Sequence, residues 1–157
     1  MSWRFEPPDP IRPFRRLLLL VLAMGIVGTG LELLLLEHFE DAWQWAPLVL
    51  MGLALPILAW YAAAPGRVTV LTIRATMTLF LLSGIVGMIL HYRGNVEFEL
   101  EMSPEQGGWV LFRESMMGAT PALAPGAMVL LGLLGLVATY RHPALQTLPP
   151  TRESEVP

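Results

Sequence analysis

The sequence predicts an all-α integral membrane protein: four transmembrane helices in a bundle, with a short strand and an amphipathic helix between the third and fourth. Three observations carry this. The 157 residues are 54% apolar, above the roughly 45–50% usual for a soluble domain. The apolar residues gather in four runs, near residues 17–36, 46–64, 75–91 and 122–140, each close to the roughly 20 residues that cross a bilayer. Glu32 is the only formal charge well inside any run. A water-soluble bundle would need a wide polar face on each helix, and these runs have none.

The chain divides into a cytoplasmic arm (residues 1–14), a membrane domain (15–142) and a tail (143–157). The arm carries four prolines and is expected to be irregular; the tail is expected to be disordered. The first span has a long N-terminal flank and no small-x-small cleavage site at its end, so it reads as an uncleaved span rather than a signal peptide. In the second span, Pro47 lies in the first turn, where proline is tolerated. Pro56 is internal and predicts a kink. Trp43, Trp45, Trp60, Tyr61, Tyr92 and Tyr140 fall at span ends, as an interfacial aromatic belt does.

The outer loop, residues 92–121, alternates Val96, Phe98, Leu100 and Met102 with Glu97, Glu99 and Glu101. Period two predicts an extended strand. Ser103-Pro104-Glu105-Gln106 has the form of a capping box, and Trp109, Phe112, Arg113 and Met116 follow at helical spacing. A short amphipathic helix on the outer membrane surface is expected there. The fourth span opens with Pro121 and Pro125, which predict a re-entrant loop or an irregular first turn.

Arginine placement sets the orientation. Eight arginines (4, 12, 15, 16, 67, 74, 141 and 152) fall on one side of the spans, and Arg93 and Arg113 on the other. The positive-inside rule puts both termini in the cytoplasm, and a bacterial inner membrane is the expected location. The outer segments carry eight acids against two arginines, a balance of −6. That surface attracts cations and basic partners. Lysine is absent, which reads as genomic composition bias. Cysteine is absent too, which excludes disulfides and thiolate metal sites.

Gly-Ile-Val-Gly occurs twice, at residues 25–28 and 84–87. Glu32 follows the first copy and His91 the second at the same spacing, and each lies seventeen residues after an arginine, Arg15 or Arg74. Positions i, i+3 and i+7 share a helix face. So Gly25, Gly28 and Glu32 form one stripe and Gly84, Gly87 and His91 another. Small residues let membrane helices approach closely. The expectation is that spans one and three pack through these stripes and that Glu32 meets His91 about 25 Å from the arginine side. Such a pair is either a helix-pairing hydrogen bond or a functional site. Gly132 and Gly135 give the fourth span its own packing face. The spacing also suggests a tandem repeat of two helical hairpins, parallel repeats of that kind occurring in some transporters.

His38 and His91, with Glu37 and Asp41 nearby, are candidate ligands for a divalent metal, and two histidines on different helices can also hold a haem. Neither histidine has a ligand-spacing signature, so no cofactor is predicted. His142 belongs to the other side of the membrane. No catalytic serine elbow, P-loop or dinucleotide fingerprint is present, and no basic aromatic patch points to nucleic acid. The function that fits is non-enzymatic: an accessory or scaffold subunit of a membrane complex, its partners the bilayer and either another protein chain or further copies of itself. A small transporter using Glu32 and His91 is the alternative, and a haem- or metal-binding electron-transfer subunit a third.

Overall fold

The computed structural model describes residues 10–118 and 121–146. Expectations for residues 1–9 and 147–157 lie outside these. The described chain is helical: α1 (Arg12–Leu35), α2 (Ala42–Ala63), α3 (Arg67–Met102), α4 (Gly108–Met117) and α5 (Gly126–Ala138), then a 3-10 turn at Pro143–Leu145. α1, α2 and α3 are each long and apolar enough to cross a membrane. α5 has 13 residues, about 20 Å, short of the roughly 30 Å hydrocarbon core. Pro121 to Pro125 precede it as successive tight turns, with Ala124 N–H donating to Pro121 O and Gly126 N–H, at the helix start, to Leu123 O. That is the irregular first turn expected from the two prolines.

α1 packs on α2 and α5, and α3 packs on the same two. α1 and α3 therefore lie across the diagonal of a four-helix ring. The core between them is Leu22, Ile26, Met51, Ile73, Met77, Phe80 and Leu131, all buried. The outward surfaces are apolar as well: Leu20, Met24, Leu53, Leu79 and Leu130 are exposed. A helix in water would carry polar side chains there; hydrocarbon accepts these.

The glycines locate the tightest crossing. A β-carbon on Gly132 would stand 2.7 Å from Met77 O and 2.9 Å from Leu81 N, both backbone atoms of α3. One on Gly84 would stand 2.8 Å from Val129 N and 2.9 Å from Pro125 O. α3 and α5 thus interlock through reciprocal glycine notches. The expected pairing of α1 with α3 through their two glycine stripes does not form, because α5 comes between them: Gly25 faces the Leu131 side chain, and Gly84 and Gly87 face Val129 and Pro125. An exact hairpin duplication would carry α1 onto α3 and α5 onto α2. The second stripe would then face α2, and it does not.

Polar groups inside the ring satisfy themselves. Thr76 Oγ1 donates to Thr72 O and Thr139 Oγ1 to Gly135 O, the local bonding that apolar surroundings demand. Arg15 is buried, and its guanidinium donates to Tyr140 O and Arg141 O beyond the end of α5. A cation suits the negative end of a helix dipole. Nearby, Tyr61 Oη and His142 Nε2 are hydrogen-bonded at 2.9 Å. This arginine end of the bundle gathers Arg12, Arg15, Arg16, Arg67, Arg74 and Arg141; the opposite, acidic end holds the α1–α2 loop and the far end of α3.

The acidic end differs from the sequence expectation. The described residues contain no strand, and residues 95–102 continue α3 without a break. α3 has 36 residues, about 54 Å, so it outruns a bilayer. Asn95, Val96, Glu99 and Leu100 turn inward while Glu97, Phe98 and Glu101 face out, a helical period beneath the alternating letters. A lone strand has no partner for its backbone, whereas extending an existing helix needs no new nucleus. Ser103 is correspondingly the C-cap of α3, its N–H bonded to Glu99 O, and not a helix start. α4 begins at Gly108, whose φ of +60° favours glycine, and packs back along α3.

Candidate functional site

The loop between α1 and α2 is fixed at both ends. α1 closes with Glu37 N–H on Leu34 O and His38 N–H on Leu33 O. These two bonds are a Schellman motif, with Glu37 at the left-handed position. Glu37 has φ +53°, a conformation that costs a non-glycine residue about 1–2 kcal/mol. α2 then opens on a capping box: Asp41 Oδ1 accepts from Trp43 N–H at 2.8 Å and Gln44 N–H at 3.0 Å, and Gln44 Oε1 accepts in return from Asp41 N–H at 3.3 Å and also from Glu40 N–H. Phe39 stacks obliquely against Trp45, ring centroids 6.0 Å apart. His38 is the residue this short, doubly anchored loop presents.

Facing it is α3. One face of α3 holds the returning chain turn by turn: Gly84 and Gly87 seat Val129 and Pro125, His91 Nδ1 lies 3.3 Å from Pro121 O, and Asn95 Nδ2 donates to Ser115 O at 2.8 Å. A carbonyl can only accept, so Nδ1 of His91 carries a proton, and in the neutral ring the lone pair is then on Nε2. Tyr92 meets Phe112, and Trp109 stacks on Phe112, along the same hairpin.

His38 and His91 meet at this junction, ring centroids 6.1 Å apart and planes inclined at 53°. Both are half-buried. Burial, and secondarily the neighbouring His91, push the His38 pKa below its usual value; Asp41 opposes them. The site therefore favours a neutral imidazole at position 38.

The expected site residues are thus redistributed. His38 and His91 come together. Glu32 is exposed on α1 and makes no ion pair or hydrogen bond with His91, since their helices are diagonal. Asp41 caps α2, and Glu37 ends α1. Among the described residues, no three His, Asp or Glu side chains cluster as a metal cage. His142 sits at the opposite end with Tyr61. Sequence reading missed the Asp41-x-x-Gln44 capping box, which was legible, and Asn95, which gave no sign among the alternating residues around it.

No family model matches the chain, and no curated protein or solved structure matches it either.

Proposed function

We propose that this is a four-span, non-enzymatic subunit of a membrane complex, with both termini cytoplasmic and α5 with its preceding turns as the fourth span. The bacterial inner membrane is the membrane this reading assigns. The hairpin of α3 and α4 at the acidic end is its docking surface. The observation that carries this is the exposure at the hairpin's tip: Met102 and Trp109 are 70% and 73% exposed, beside exposed Glu97, Glu101 and Glu105. Paired apolar and acidic groups beyond the bilayer suit a partner segment with an apolar anchor and flanking basic residues. Two concavities among the described residues are open apolar grooves, of about 260 and 230 Å³, without the convergent polar groups of a substrate pocket.

Native mass spectrometry on protein extracted from its own membrane tests this. A stoichiometric partner chain, lost when Glu97 and Glu101 are both changed to Arg, is the expected result. A bare chain or homo-oligomer, or a partner indifferent to the charge reversal, overturns it. The transporter alternative rests on a Glu32–His91 pair that does not form and is not favoured.

A further inference from the structure

We propose that His38 and His91 together bind one borderline divalent transition-metal ion, of the Zn²⁺ or Cu²⁺ class, at the acidic end of the bundle. The geometry points to it. Zinc–imidazole bonds are about 2.0–2.1 Å, which sets a ring centroid about 3.2 Å from the metal. Two rings on one ion therefore have centroids roughly 5 Å apart at a tetrahedral angle and about 6.4 Å apart when collinear. The observed 6.1 Å lies inside that interval, toward its open end, and corresponds to an N–metal–N angle of about 145°, which the rings narrow on closing around an ion.

The supporting shell is already built. A metal-bound histidine characteristically donates its other ring N–H to a carbonyl or carboxylate, which fixes the tautomer. His91 does this with Pro121 O, so its Nε2 is the metal-binding atom. His38 is held in place by the Schellman turn before it and the capping box after it. The left-handed Glu37 is the strained residue that turns the chain at His38, and strain of this kind clusters at functional sites. Glu37, Glu40 and Asp41 surround the loop with negative charge, which raises the local cation concentration. Two imidazoles are the whole protein donor set, so water completes the coordination. The site binds and exchanges metal rather than locking it in the fold. Imidazole ligation also sets the selectivity: Cu²⁺ above Zn²⁺, with Mg²⁺ excluded.

The test uses the untagged full chain in mild detergent, stripped with chelator and titrated with ZnCl₂, CuCl₂ and MgCl₂ by calorimetry. One Zn²⁺ per chain is expected, with tighter Cu²⁺ and no Mg²⁺ binding. His38→Ala and His91→Ala should each weaken Zn²⁺ by at least tenfold, since losing even an outer partner costs about 10–100-fold. His142→Ala should leave it unchanged. Should a variant fail to fold, the wild-type chain still decides: Zn²⁺ should protect His38 and His91, and not His142, from diethyl pyrocarbonate, read by peptide mass spectrometry. Absent Zn²⁺ binding, binding shared equally by Mg²⁺, binding indifferent to both substitutions, or equal modification of all three histidines overturns the site. The measurement needs no partner chain, so it succeeds or fails independently of the docking role.

Discussion

The two copies of Gly-Ile-Val-Gly have the same letters and opposite surroundings. In α3, Gly84 and Gly87 are filled by the start of α5, and a β-carbon on Gly84 would collide with backbone atoms. In α1, Gly25 touches only the flexible end of Leu131, and Gly28 has nothing within 4 Å. The Glu32 and His91 that follow them diverge in the same way: one faces out, the other joins a hydrogen bond and a ring pair. A small-residue motif on a membrane helix offers a close approach; whether another backbone takes it depends on the neighbour.

Substitutions at these glycines can break or sharpen that contrast. The largest effect is expected for Gly84→Ala, and equally for its counterpart Gly132→Ala, because backbone cannot yield as a side chain can. Each should lower the unfolding free energy in detergent by roughly 1–3 kcal/mol, the usual penalty of overpacking. Gly25→Ala should cost less, about 0.5–1.5 kcal/mol, the price of an off-rotamer Leu131. Its approach of 2.6 Å is to Leu131 Cδ2, a terminal methyl. Gly28→Ala should reverse the sign and stabilise by about 0.5–1 kcal/mol, since alanine is the better helix residue and meets no neighbour. Thermal or denaturant unfolding of the four variants side by side measures the series. Equal losses at Gly28 and Gly84 would show that a further helix covers the α1 stripe, and would remove the contrast.

The acidic end teaches the same lesson about pattern and partner. The alternation from Val96 to Met102 is real in the sequence, but α4 returns against one side of it and α3 runs into it already wound. Backbone bonding inside the segment then outweighs a strand with no companion. The apolar runs, by contrast, were legible because hydrophobicity over about 20 residues depends on no neighbour. So were the proline turns before α5 and the separation of His142 from the other two histidines, since local geometry and chain direction suffice for both. The α3–α4 hairpin was half legible: an amphipathic helix with Trp109 and Phe112 was expected there, but its start at Gly108 and its packing on Asn95 were not.

By itself the sequence determined the four apolar runs, three of which are helices of membrane-crossing length, the gathering of arginines at one end and acids at the other, and the absence of thiol chemistry. Each is a property of composition or of spacing within one segment. Tertiary structure alone decided that α5 separates the two glycine stripes, that His91 meets His38 instead of Glu32, and that residues 95–102 are helix. Those outcomes compare contacts between segments far apart in the chain. Their energies depend on which backbone reaches a notch or a carbonyl first, and periodicity within one segment holds no record of that.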